Sequence, residues 1–346
     1  MLFKLTYSLK VHVQRDEDLP VTVELDEANT LTLRIRETKS QSGLIRQVCA
    51  DLVADRRPPR RVSSTLRALR ENRLLLDDPP QEGLPYTSLR GPIVDVEGRI
   101  TERWKIPFGL LPKASRPWLS ELNLSVADLL KRYIKTLRWR QAASGGHQPF
   151  SVVGFEWSDD GEVWSYVPTA YKVTSSTVRP FDVRRSALVM AADLLAAKES
   201  EPFAHELIRE AAEVAHSAPR SGLLIAFSAL ETGLKAHLSF LLPGGDSLVE
   251  KLPSPPVTTL LRDVIPAIHE ARSIQASHIP LPHSAAELLQ KWLTQRNQVA
   301  HGAKRAIDGE SLGEFIDLVS DILYVLDVSR GQTWALENLR TNHWPS

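Results

Sequence analysis

The chain has 346 residues, 42% hydrophobic and 24% charged, which excludes a disordered polypeptide and, at roughly 100–200 residues per domain, predicts two domains. The formal net charge is zero, yet residues 1–180 hold 27 Lys and Arg against 22 Asp and Glu, whereas 181–346 hold 15 against 20, as expected of a two-part chain. One cysteine, Cys49, excludes an internal disulfide and a multi-cysteine zinc cluster, and fits a reducing cytoplasm.

The opening MLFKLTYSLKVHVQ lacks the basic start, apolar run and cleavage site of a signal peptide, so a cytoplasmic location is expected. Leu2, Lys4 and Thr6, then Val11 and Val13, then Val21, Val23 and Leu25, then Leu31, Leu33 and Ile35 recur at every second position. Period two with β-branched residues predicts antiparallel strands with one buried face. RQVCADLVADRRPPRR reads as a short helix ended by Pro58 and Pro59. SSTLRALRENRLLL reads as a second helix capped by Ser63 or Ser64. Residues 77–120 read as irregular, with short strands near Ile93–Val96 and Ile100–Trp104.

A helix is predicted over Ser125–Gln141, with Ser125 as its cap and Ala127, Leu130, Ile134 and Leu137 as its apolar stripe. Its flank carries Lys131, Arg132, Lys135, Arg138 and Arg140 against one acid, Asp128. In FEWSDDGEVWSYV, the Asp160-Gly161 pair predicts a two-residue type I′ hairpin in which Trp157 faces Trp164 and Phe155 faces Tyr166.

After Pro180 the period becomes helical. Helices are expected near 183–198, 202–217, 220–242, 256–272, 284–302 and 310–329, separated by Pro and Gly breakers. The most apolar of these stretches, Gly222 to Leu242, is interrupted by Glu231, Lys235 and His237, so it reads as a buried helix and no membrane span is expected. The fold class predicted is α+β. A β-rich domain with embedded helices (1–180) precedes a helical bundle (181–330) and a short tail (331–346).

One segment carries a mechanism: Arg296-Asn297-Gln298-Val299-Ala300-His301-Gly302. Asn297 and His301 are four apart and share a helix face, whereas Arg296 and His301 are about 140° apart on an ideal helix. The long Arg side chain can swing towards the same cleft. RNA can be cleaved when its own 2′-oxygen attacks the adjacent phosphate. A histidine suits the proton transfers, and a guanidinium suits the charge that grows on phosphorus. The RN-x3-H string, with Gly302 as a helix stop and the long apolar helix around Glu231 upstream, resembles the signature of the HEPN superfamily, of the sort found in prokaryotic conflict and phage-defence proteins. The resemblance spans residues ~183–330, and its specific part is the motif.

The resemblance implies a metal-independent endoribonuclease in a toxin or phage-defence role. Arg296, Asn297 and His301 would be catalytic, with Glu231 as a supporting partner. It also implies a homodimer with two motifs facing one cleft, RNA as the partner, and no cofactor or metal. The N-terminal domain would sense a trigger or regulatory protein. The alternative is a non-catalytic HEPN-like protein that binds nucleotide or assembles, with its motif packed against its own core. Further nucleic-acid contacts are expected from Lys131, Arg132, Lys135 and Arg138, with Trp139 stacking a base, and from Arg56, Arg57, Arg60 and Arg61. His205 and His216 share a helix face, but no acid or cysteine accompanies them to form a metal set.

Overall fold

The computed structural model of the protein describes residues 1–9, 11–13, 19–40, 43–71, 93–94, 100–102, 108–143, 150–168, 181–245, 247, 249, 251, 256–274, 281–302 and 307–344. Its fold is mixed α+β, an antiparallel sheet of six strands with several helices. The chain forms two compact units, residues 1–137 with 148–199, and residues 138–147 with 200–346.

In the first unit, strand alternation builds the sheet. Strand β1 (Leu2–Leu9) buries Phe3, Leu5, Tyr7 and Leu9. The other set, Leu2, Lys4 and Thr6, faces the opposite side, where Lys4 pairs with Glu156 at 2.9 Å. Strand β2 (Val11–Val13) pairs in parallel with β10 (Phe181–Val183). Strands β3 (Val21–Asp26) and β4 (Asn29–Ser40) form a hairpin whose turn is tied by Asp26, which accepts from the Ala28 N–H and the Asn29 amide.

The RQVCADLVAD segment, which reads as a helix, is strand β5 (Gly43–Asp55), hydrogen-bonded to β4 on one side and β1 on the other. Its apolar side chains keep period two: Val48, Ala50, Leu52 and Ala54 are buried. Cys49 and Asp51 on the other face are buried as well, so the alternation is masked. Burial pushes the Cys49 thiol up.

Helix α1 (Arg60–Arg70) starts at Pro59, ahead of both serines; Ser63 Oγ donates back to the Pro59 carbonyl. Short strands β6 (Ile93–Val94) and β7 (Ile100–Glu102) pair with each other. Helix α2 (Arg116–Arg140) begins nine residues before Ser125, whose hydroxyl bonds the Leu122 carbonyl inside the helix. Its stripe of Ala127, Leu130, Ile134 and Leu137 is buried as expected. The sheet ends on β8 (Phe150–Ser158) and β9 (Ser165–Tyr166), giving the order β3-β4-β5-β1-β8-β9.

The hairpin register differs from the two-residue turn by one position: Trp157 opposes Ser165 and Glu156 opposes Tyr166. A wider loop replaces the tight turn because side chains satisfy its backbone. Asp160 Oδ1 accepts from the Glu162 and Val163 N–H groups, and Ser158 Oγ accepts from Gly161. A slip of one residue exchanges the faces, so Phe155 and Trp157 do not share one with Tyr166.

Helix α3 (Arg185–Ala196) packs Ala187, Leu188, Ala191, Ala192 and Leu195 into the same core as α1, α2 and the sheet. Residues 181–199 therefore belong to the first unit, and the division between units falls at Glu199 rather than at residue 180.

The second unit contains the remaining helices. These are α4 (Phe203–Val214), α5 (Pro219–Leu241), α6 (Ile265–Ala271, entered through a turn at Val257–Thr259 and a π-turn at Leu260–Val264), α7 (His283–Ala300) and α8 (Gly309–Ser329). Helix α8 is the hub, buried along nearly its whole length. Phe315 on it stacks on Trp292 of α7 at 5.2 Å and meets Phe227 of α5 at 4.9 Å. The final segment folds onto the same unit: Asp321 accepts from the Arg340 and Thr341 N–H groups, and Trp344 is buried. Among the described residues, no helix is long and apolar enough to cross a membrane.

Candidate functional site

Helix α7 is fixed through its apolar face, Ala285, Leu289 and Trp292, which turns its last two turns outward. The helix stops where its sequence requires. His301 is the C-terminal cap, donating its N–H to the Asn297 carbonyl at 3.0 Å, and Gly302 follows with φ +73°. That conformation favours glycine.

Asn297 and His301 are exposed at this end. Arg296 lies on the side of α7 towards α5, where its Nη2 stands 3.5 Å from Glu231 Oε1 and its Nη1 donates to Asn297 Oδ1 at 3.3 Å. Both charged side chains remain partly exposed, 31% for Arg296 and 23% for Glu231. The structure thus joins Arg296, Asn297 and Glu231 through side-chain contacts. It places His301 on the same helix end.

The expected nucleic-acid contacts divide. Lys131, Arg132 and Lys135 are exposed on α2, with Arg132 paired to Asp128 at 3.2 Å. Arg138 is only 4% exposed, so it offers no surface contact; burial first, then the Arg209 charge, push its guanidinium down to about 10. Trp139 is buried too and cannot stack a base. Its Nε1 donates to Asp327 at 2.9 Å, and its ring meets Trp334 edge-on at 4.9 Å. Arg56 ties the β3–β4 turn by donating to Asn29 Oδ1 at 2.9 Å. Arg57, Arg60 and Arg61 are exposed where α1 begins, a first turn without an acidic residue.

Two buried clusters have no counterpart in the sequence reading. Asp327 Oδ2 accepts from Trp139 Nε1 and lies 2.8 Å from His205 Nε2. His237 and His269 meet Nε2 to Nε2 at 3.3 Å, with Ser329 Oγ 3.3 Å from His237. Acids inside the apolar run SDILYVLDV, at 321 and 327, are the signal that could have revealed the first. Among the described residues, no three His, Cys, Asp or Glu side chains are grouped to hold a metal ion. No protein-family model matches the chain, and no curated protein or solved structure gives a significant match.

Proposed function

We propose that the second unit is a HEPN-like bundle and that the protein is a metal-independent endoribonuclease acting through Arg296, Asn297 and His301. The observation that carries this is the exposure of Asn297 and His301 at the free end of α7, with Arg296 held beside them by a long contact. The rival, a non-catalytic binding or assembly protein, required the motif to pack against its own core.

In the proposed reaction a 2′-hydroxyl gives its proton to a base and the 2′-oxygen bonds to phosphorus. The bond from phosphorus to the 5′-oxygen breaks, and that oxygen takes a proton. The products are a 2′,3′-cyclic phosphate and a 5′-hydroxyl. An imidazole moves the protons, and the Arg296 fork holds the phosphoryl oxygens as negative charge develops. Asn297, on the His301 face of the helix, orients the phosphate or the imidazole through its amide. One chain supplies one His301, so separate base and acid require two chains. A homodimer with facing motifs meets that need, as the family resemblance implies. On this reading the β-rich unit selects substrate or senses a trigger, through a regulatory protein or through exposed Arg57, Arg60 and Arg61. The role is defence or toxicity in the cytoplasm.

The test is incubation of wild-type and His301→Ala protein with total RNA in EDTA, followed by analysis of product ends. Cyclic-phosphate ends that vanish in the variant support the assignment. Equal cleavage by both proteins refutes it.

A further inference from the structure

The start of α4, the middle of α5 and the last turns of α8 enclose a cavity of about 150 Å³. Gly233 brings its wall down to the backbone of α5, and Ala236, Leu323 and Leu326 supply apolar surface. A cavity of this volume holds a single six-membered ring. Phe203, the first residue of α4, lines it while 60% exposed, so its ring stands at the mouth.

One polar atom of this wall lacks a partner. Asp327 is 3% exposed, and Trp139 Nε1 and His205 Nε2 both meet its Oδ2. Its Oδ1 meets no donor among the described residues, yet it is not sealed inside the protein. Asp327 lines the cavity, so the cavity is where that oxygen opens. A carboxylate oxygen in an apolar enclosure gains from a donor, because burial without one is costly. Arg330 also lines the cavity, but its guanidinium lies over the Phe240 ring, 5.8 Å from its centre, and Phe240 does not line it. Arg330 therefore brings a charge to the neighbourhood rather than a contact. An ammonium ligand would meet that cation, and a carboxylate ligand would meet Asp327, both in surroundings that screen charge poorly. A neutral ring with one donor avoids both penalties.

We infer that this cavity binds a neutral six-membered aromatic ring carrying one hydrogen-bond donor, a phenol in its simplest form. The ring lies against Leu323, Leu326 and Ala236 with Phe203 at the mouth, and the hydroxyl donates to Asp327 Oδ1. The site is independent of the ribonuclease assignment, since it uses none of Arg296, Asn297 and His301.

Phenol and toluene, which has the same shape with a methyl in place of the hydroxyl, are the probes, titrated into the full chain and followed by ligand-observed NMR and calorimetry. Phenol should bind with a dissociation constant of about 0.1–1 mM, as its size permits. Toluene should bind roughly three- to thirtyfold more weakly, because a hydrogen bond to an ionised acceptor outweighs the burial of one methyl. Benzoate and benzylammonium, the same ring with a charge of either sign, should also bind more weakly than phenol. Ala236→Phe, at an exposed helix position, should block phenol while circular dichroism and the urea midpoint stay those of the wild type. Phe203→Ala, at the exposed mouth, should weaken phenol roughly two- to tenfold by removing a ring contact. Phenol that does not bind at about 5 mM, toluene or a charged analogue binding as tightly as phenol, or phenol binding unchanged in either variant while it remains folded would each overturn the proposal.

Discussion

Arg296 reaches from α7 to Glu231 on α5, Nη2 to Oε1 3.5 Å, and neither side chain is fully withdrawn from solvent. An ion pair of this exposure contributes between zero and about 1 kcal/mol. Arg296→Ala should therefore unfold within about 1 kcal/mol of wild type in urea, and so should His301→Ala, whose side chain is exposed. RNA cleavage should fall by at least about 100-fold in each. Loss of cleavage accompanied by loss of helicity would instead make these residues structural.

On the proposed reading Glu231 acts through Arg296, as a positioning residue. Glu231→Gln keeps the shape and removes the charge that draws the guanidinium across. The turnover number should drop roughly tenfold with little change in KM, and Glu231→Asp should recover part of it. A change confined to KM would place Glu231 in RNA binding instead.

His237 makes stability depend on pH. It is fully buried, facing His269, Ser329 and the Phe240 ring, with the Arg330 charge close by. Burial first, then Arg330 and His269, push its imidazole down to about 3. The folded state keeps His237 neutral, whereas the unfolded chain takes up a proton below its ordinary 6.5. Stability is thus complete above pH 6.5 and is lost as pH falls towards 3, by about 2 kcal/mol at pH 5. Urea midpoints at pH 7 and pH 5 should differ less in His237→Gln than in wild type. An unchanged difference would remove His237 from the account.

What was legible in the sequence depended on how local the determining contacts are. The helices of the second unit could be read because apolar residues recur with the helical period in α5 and α8, and breakers separate them. Strand β5 could not, because Asp51 on its second face is buried through Thr6 and Arg34, 45 and 17 residues away. The Asp160-Gly161 signal was overridden by two neighbouring side chains, Ser158 and Asp160 itself. Of the basic stripe of α2, the exposure of Lys131, Arg132 and Lys135 could be read from the helical period. That reading failed at Arg138 and Trp139, whose surroundings include residues as distant as Asp327. The motif's place at a helix end was legible from Gly302, but the direction taken by Arg296 needed the position of α5.

The Asp327 cluster should hold the second unit together. Its carboxylate is 3% exposed and meets donors from Trp139 and His205, and Tyr324 on the same helix donates to the Trp139 carbonyl at 2.7 Å. Trp139→Phe keeps an aromatic ring but leaves the carboxylate one donor short, which should cost about 1–3 kcal/mol. Asp327→Ala leaves two buried donors unmet and should cost about 3 kcal/mol or more. Equilibrium unfolding in urea checks both. A Trp139→Phe protein as stable as wild type would mean that His205 alone satisfies the carboxylate.

Gly233 on α5 lies directly against Leu323 of α8. A Cβ at this position would stand 2.2 Å from Leu323 Cδ2, well inside contact distance, and 3.4 Å from Ala204 Cβ. Ala normally stabilises a helix by about 1 kcal/mol over Gly. Here the new methyl must displace the end of a Leu side chain that is 2% exposed, and overpacking of that kind costs about 1–3 kcal/mol. Gly233→Ala should therefore destabilise the protein by up to about 2 kcal/mol once the helix gain is subtracted. Pairing it with Leu323→Val, which pulls the clashing methyl back, should recover part of the loss. A double variant whose effect equals the sum of the two single variants would show that the contact does not carry the cost.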